Sequence, residues 1–516
     1  MVDEPSSYAH AVHDVVIVGA GSAGCVLAAR LSEDPGTSVL LLESGGRPRK
    51  LNARIPAAFS KLYGSSLDWG YRTAPQAALD GRRIVFPRGK ALGGSSSINA
   101  MMAIRGHRAD HDGWPEGWSW DEVAPAYARS DLHFPRATQR RPSPLTADFV
   151  EAAVQCGVPR SRDLNAADNE GVGLTPVSIL RGRRHSVADG YLRDAIRRPN
   201  LTVVTGAHVT GVILERGRAR GVSYLLDGHE EEAPARREVV LAAGAVDTPK
   251  LLLLSGIGPP EELGRHDIPV RHGVSGVGRN LRDHLANGIL ATVDAETLYS
   301  AERLRHVLAW LALGRGPLTS NVAEAAAFVR VDPAAPAPDV ELLFAPVLFE
   351  EEGTVPPSQD GVTVAAILLQ PHSVGEVRLA SADPLAAPEI DPRYLTDAEG
   401  HDADLLLGGL RLARSVLASE PLARHVTGEL LPGPDAVDDD ALRAHLRSRS
   451  QTLYHPVGTC RMGTDDDAVV APDLRVRGVD ALRIADASVL PGLPRGHTNW
   501  PTVMVAERAA ELMRAA

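Results

Sequence analysis

The sequence predicts a mixed α/β fold, α+β overall, in which a Rossmann-like nucleotide domain is assembled from separated segments and a second domain is inserted between them. Three observations carry this. A short apolar strand runs into GAGSAG at Gly19 to Gly24 and then into a small-residue helix. A second strand ends in an acidic residue, Glu43, about 20 residues after the glycines, the spacing of a dinucleotide fingerprint. Further apolar strands, Glu238 to Ala243 and Leu482 to Ala485, return only far down the chain.

Each element has a physical reason. Val15 to Val18 is β-branched and apolar, and Cys25 to Leu31 reads as the helix that follows. Gly19 permits the tight turn, Gly21 lets the backbone approach a pyrophosphate, and Gly24 lets helix and strand pack closely. The helix N-terminus offers free N–H groups and partial positive charge to phosphates. Glu43, closing the strand Val39 to Leu42, can accept hydrogen bonds from a ribose diol and repels a 2′-phosphate. From Ala242, AAGAVDTPKLLLLSGIG places Pro249 at a helix start. Residues 286–449 mix strand and helix signals, among them Val362 to Leu369 and His401 to Ala418. Thr502 to Arg514 reads as a helix with Pro501 at its entry.

A chain of 516 residues exceeds one ordinary core and favours two or more domains. The 54 basic against 65 acidic residues and net charge −11 argue against a phosphate-backbone binder, so nucleic acid is not an expected partner. Cys25, Cys156 and Cys460 are far apart and show no CxxC spacing, which indicates neither zinc nor a disulfide framework. Reduced thiols and a cytoplasmic location are expected. Residues 1–13 lack an apolar signal-peptide core, and no apolar run reaches the ~20 residues of a membrane span. The sequence gives no support to peripheral membrane association.

The runs PRGKALGGSSSINAMMAIRG (Pro87 to Gly106), GAVDTPKLLLLSGIG (Gly244 to Gly258), VGRNLRDH (Val277 to His284), HPVGTCRMG (His455 to Gly463) and LRIADASVLP (Leu482 to Pro491) together resemble the glucose-methanol-choline (GMC) family of flavoprotein oxidoreductases. The resemblance runs from about Val15 to Glu507. It implies FAD bound in an extended pose across the Rossmann-like domain, beneath a substrate domain built on an antiparallel sheet. The FAD-binding domain would comprise residues 12–100, 184–285 and 450–516, and the substrate-binding and covering segments residues 101–183 and 286–449.

The resemblance also implies the cofactor-binding positions. These are Gly19, Gly21, Ser22, Gly24 and Glu43 for the ADP half and Val209, in TGAHVTGV, for adenine through its backbone. Gly93, Gly94, Asn99 and Ala100 match the loop beside the isoalloxazine, and Ala243, Asp486, Ala487, Pro501 and Thr502 complete the set. Ile98 stands where some members carry a histidine joined covalently to the flavin, so FAD is expected to be noncovalent here. No metal is expected.

His455 stands at the family's base position and Asn499 at its second catalytic position. Asparagine takes no proton from an alcohol near neutral pH but can donate a hydrogen bond to a developing alkoxide, which makes His455 the base and Asn499 the orienter. Asn499 could serve at the same time as the N-cap of the last helix. His284 is read as structural, closing its own loop, and His497 as a variable position. Trp500 is read as core, Met101, Met102 and Tyr454 as core or cavity wall, and Cys460 as buried and inert. If the C-terminal helix points at the flavin, as in the family, its partial charge of ~+0.5 favours the reduced anion.

The resulting expectation is oxidation of a small-molecule alcohol, a primary one, with transfer of hydride to flavin N5 and reoxidation by an electron acceptor. TSNVAEAAAFVR (Thr319 to Arg330) and HPVGTCRMG look most like the bacterial choline and alkanol dehydrogenase branch, so a dehydrogenase using a quinone or other carrier is expected. The alternatives are an oxidase using O2, a hydroxynitrile-type lyase with non-redox flavin, and a flavin-binding protein without turnover. The alcohol, the acceptor and the oligomeric state are not legible.

Overall fold

The computed structural model describes residues 12–515. Residues 1–11, most of the stretch that lacks an apolar signal-peptide core, lie outside the described residues.

Two seven-stranded sheets organise the chain. In the first, Leu201–Thr205, Val39–Glu43, His13–Val18, the end of His229–Leu241 and Leu482–Ile484 run parallel. The start of the long strand His229–Leu241 turns away to pair antiparallel with Arg218–Leu226, which pairs in turn with His208–Glu215. His13–Val18 and Val39–Glu43 are buried at every position, as parallel strands covered on both faces must be. The helix Ser22–Leu31 follows the first strand directly. Gly19 has φ +92°, and a Cβ on Gly24 would lie 1.8 Å from the Gly19 carbonyl oxygen, so turn and packing both require glycine.

The second sheet is antiparallel, as the family resemblance implied, and orders Val426–Leu431, Leu285–Val293, Gly361–Leu368, Val340–Ala345, Ala325–Val329 and Gly171–Leu174. Gln451–Thr452 also pairs with Leu285–Val293, so this sheet takes two residues from a segment assigned above to the nucleotide side. The pleat divides its residues. Ile289, Leu342, Phe344, Val364 and Ala366 pack with Leu406 and Leu410 of the helix His401–Leu417, whereas Gly288, Leu290, Leu343, Ala345, Thr363 and Ala365 face a cavity between the two sheets.

Two helix boundaries differ from expectation. The helix with Pro249 spans Gly244–Leu254, so the proline lies inside it rather than at its start. The carbonyl of Ala245, which Pro249 leaves without an N–H donor, accepts instead from Thr459 Oγ1 at 2.7 Å. The last helix is Asn499–Ala515, three residues longer at its start than read. Thr498 occupies the cap position, its carbonyl accepting from Thr502 N at 3.0 Å and Thr502 Oγ1 at 2.7 Å, so Asn499 is the first helical residue and not the N-cap. Trp500 is fully buried and stacks on Phe134 with ring centroids 4.1 Å apart, the core role expected of it. The three thiols are free, and Cys460 is buried in an environment that holds its proton well above the usual thiol range. No helix among the described residues is long and apolar enough to cross a membrane.

Candidate active site

The cavity between the sheets has a volume of about 650 Å³. At one end it is walled by the Rossmann turn, with Gly19, Gly21 and Ser22, and by Glu43, Val209 and Ala243. Gly94, Ile98, Asn99, Ala100, Asp486, Ala487 and Thr502 also line it. At the other end His455, His497 and Asn499 face Met101, Met102, Tyr454 and the antiparallel sheet. Gly24, Gly93 and Pro501 are not among the residues that line the cavity. Gly24 is pressed against Gly19, Gly93 has φ +91° with a virtual Cβ 2.4 Å from Ser97 Oγ of its own loop, and Pro501 is buried in the helix body.

The turn end has the features of a phosphate cradle. A Cβ added to Gly21 would meet no protein atom closer than 3.9 Å, although its neighbours Gly19 and Gly24 have no such room. The helix Ser22–Leu31 begins here with no side chain capping it. Glu43 accepts from Ala20 N at 2.9 Å and Gly45 N at 2.7 Å, and burial pushes its carboxyl up to about 7. The Asp486 carboxylate is occupied by Gly244 N, Thr248 Oγ1 and Ser488.

At the other end, the histidines read separately in the sequence meet. His455 Nδ1 lies 2.8 Å from His284 Nδ1, and His284 Nε2 lies 3.2 Å from the Leu369 carbonyl oxygen. A carbonyl only accepts, so His284 Nε2 carries a proton. Burial, then the nearby His497, depress His284 to about 3, so it is neutral and its Nδ1 must accept. The proton between the rings therefore sits on His455 Nδ1, which leaves His455 Nε2 as a lone-pair acceptor. His455 itself is held well below the ordinary imidazole range, first by burial and then by His497, His284 and Arg88.

The adjoining residue of VGRNLRDH completes the support. Asp283 Oδ1 accepts from His455 N at 2.7 Å, while its Oδ2 takes Thr452 Oγ1 and Tyr394 OH, both at 2.5 Å. His284 thus does not close its own loop but orients the His455 ring. His497 is likewise not incidental: its ring centroid is 4.7 Å from that of His455, and its Nε2 lies 3.3 Å from Oε1 of the fully buried Glu341. The His284–His455, Asp283–His455 and His497–Glu341 contacts each join residues more than 150 apart in sequence, beyond the reach of a local motif.

Asn499 joins the two ends. Its Oδ1 accepts from Ser22 Oγ at 2.6 Å, and its buried Nδ2 has no hydrogen-bond partner. Both helix N-termini, Ser22 and Asn499, therefore converge on the cavity. An unsatisfied buried amide donor there is a costly group unless something occupies the space before it. Met101, Val322 and Tyr454 line this end with φ of +55°, +72° and +68°. For a β-branched valine that is strained backbone, of the kind that concentrates at functional sites.

The GMC oxidoreductase N-terminal profile matches residues 13–286 and its C-terminal counterpart residues 371–506. The chain belongs to the GMC oxidoreductase family. It is 46% identical to an uncharacterised GMC-type oxidoreductase of Mycobacterium tuberculosis, with 97% of this chain and 99% of that one covered. It is 39% identical to the alcohol dehydrogenase [acceptor] of Pseudomonas putida, covering 97% and 96% of the two chains. Among solved structures it superposes on pyridoxine 4-oxidase from Mesorbium loti with a TM-score of 0.89 at 32% identity, over 98% and 99% of the chains.

Proposed function

We propose that this protein oxidises a primary alcohol to the aldehyde with noncovalently bound FAD, and that it acts as a dehydrogenase. The observation that carries the reading is the hydrogen-bond chain from Leu369 through His284 to His455, because it supplies a neutral imidazole whose Nε2 accepts a proton.

The residues present fit FAD. The room beside Gly21 and the uncapped helix start suit a pyrophosphate, Glu43 suits a ribose, and Ile98 offers no atom for a covalent flavin link. We assign residues 12–100, 184–285 and 450–516 to the part that holds it and 101–183 and 286–449 to the part that covers the substrate. When bound, FAD supplies a two-electron acceptor for the carbinol C–H.

The chain's own groups do the rest. His455 Nε2 takes the hydroxyl proton, with general-base assistance worth ~10² to 10⁴ in rate. Asn499 Nδ2 donates to the substrate oxygen as it gains charge, while Ser22 fixes the amide so that Nδ2 and not Oδ1 faces it. Leu343, Ala345 and Met101 exclude water and hold the alcohol in place. The similarity to the alcohol dehydrogenase [acceptor] of Pseudomonas putida supports a carrier such as a quinone as the electron acceptor. The three free thiols support a cytoplasmic location.

Anaerobic mixing of the holoenzyme with a series of primary alcohols tests the reading: the yellow colour should bleach as aldehyde appears. Colour that persists while product forms would mean a lyase, and colour that persists with no product from any alcohol would remove the assignment. Return of the colour faster with a quinone-like dye than with O2 marks a dehydrogenase.

A further inference from the structure

The helix Leu304–Leu313 reads LRHVLAWLAL and is covered on one side only. Its inner face is anchored by Trp310, fully buried, whose Nε1 donates to the Gly182 carbonyl at 2.8 Å. Its outer face bears Leu304, Leu308 and Leu311, spaced i, i+4, i+7, which are 72%, 55% and 46% exposed. Leu313 beside them and Leu180 are also exposed. Single exposed leucines are ordinary, whereas a continuous stripe marks an interaction surface.

The charges around this stripe oppose those of the whole molecule. Lys61, Arg303 and Arg305 lie at the start of the helix, and Arg54, Arg181 and Arg315 at its end. The last three are contiguous through backbone: a Cβ on Gly182 would touch the Gly314 carbonyl oxygen, and Arg184 N donates to the Arg54 carbonyl at 3.1 Å. Glu296 and Glu302 are the carboxylates that pair with this group, through Arg303, Arg305 and Lys61. Arg54, Arg181 and Arg315 make no ion pair among the described residues. A chain of net charge −11 thus gathers a basic rim around its exposed leucines.

We propose that this face docks on the surface of a bilayer containing anionic phospholipid, with the leucine stripe at the acyl boundary and the basic rim on lipid phosphates. A helix with apolar residues on one face and flanking arginines is the arrangement that lies in such an interface. A second copy is disfavoured as occupant, because a two-fold contact would set basic rim against basic rim. The covered side of the helix packs with Ile55 and with Ala58 of the segment Pro56–Leu62, whose Phe59 lines the cavity. The membrane would therefore lie over the substrate half. Docking does not depend on the alcohol-oxidation reading.

Flotation of the holoenzyme with vesicles tests this. The parent should float with mixed phosphatidylglycerol and phosphatidylcholine vesicles, remain below with phosphatidylcholine alone, and lose binding as salt is raised. Arg303→Gln and Arg305→Gln should each weaken partitioning about fivefold. Leu308→Glu combined with Leu311→Glu should reduce flotation to the phosphatidylcholine background while flavin content stays at the parent level. A parent that stays below with the anionic vesicles, or a double-glutamate variant that floats like the parent, would overturn the proposal. So would a parent that is dimeric in gel filtration, does not float, and becomes monomeric with the same two substitutions, since the face would then belong to a second copy.

Discussion

His284 Nδ1 and His455 Nδ1 lie 2.8 Å apart across 171 residues of sequence, and the Leu369 carbonyl behind His284 decides which of them bears the shared proton. Replacing His284 by leucine removes the acceptor and frees the His455 tautomer. We expect His284→Leu to slow reduction by alcohol about tenfold, the worth of one hydrogen bond of ~1.4 kcal/mol. His284→Asn, which restores an acceptor near the same place, should recover most of the rate. Rapid mixing of both variants checks this, and equal rates for the two would separate ring orientation from catalysis.

The depression of His455 predicts a pH profile. A base with a lowered folded pKa keeps its lone pair to lower pH, so the reduction rate should stay level as pH falls through 6.5, the ordinary imidazole value, and decline only well below it. A half-maximal point near 6.5 or above would contradict the site electrostatics.

Stability should carry the same sign. His284 is neutral when folded but takes a proton when unfolded below 6.5, so its contribution is complete above 6.5 and is lost on acidification toward about 3, at ~1.4 kcal/mol per pH unit. Glu43, raised from 4.5 to about 7, acts oppositely and loses stability as pH rises through that window. The comparison of parent with His284→Asn in denaturant titrations therefore isolates the histidine, and the parent should lose more stability between pH 6.5 and 5.

The contrast between two glycines separates cofactor binding from folding. Gly21→Val should fold, since its Cβ meets no protein atom within 3.9 Å, yet should purify colourless because the side chain fills the cradle. Gly24→Val should fail to fold, with its Cβ 1.8 Å from a carbonyl oxygen. Flavin absorbance and circular dichroism of the two variants read both outcomes. In the parent, acid should release all flavin as free FAD, given isoleucine at position 98.

What was legible followed local rules. GAGSAG and Glu43 announce the parallel sheet because strand, turn and helix are near neighbours in sequence, and the cavity positions of His455 and Asn499 follow from motifs in the last 62 residues. What was not legible depends on distant partners. Pro249 reads as a helix start until Thr459 satisfies the carbonyl it leaves bare. Asn499 reads as a cap until Thr498 takes that place and Ser22 claims its side chain. The roles of His284, His497 and Glu341 arise only when three elements meet. LRHVLAWLAL is apolar on most sides, and only the fold reveals which leucines stay uncovered.

Asn499→Ala should cost less than loss of the base. Removing one charge-assisted hydrogen bond is worth ~1.5 to 3 kcal/mol, or roughly 10- to 150-fold in reduction rate, with the pH profile unmoved because His455 still titrates alone. Ser22→Ala should fall between this variant and the parent, since it releases the amide without deleting it. Stopped-flow rates across pH for the pair check the order.

The most direct test of the account is the rate of anaerobic bleaching in His455→Ala, measured on protein that retains its full complement of FAD. Loss of the proton acceptor predicts a fall of ~10² to 10⁴ relative to the parent, with flavin content unchanged because His455 is not one of the residues that build the pyrophosphate cradle. A His455→Ala enzyme that bleaches at the parent rate, or less impaired than Asn499→Ala, would contradict the assignment of His455 as the base.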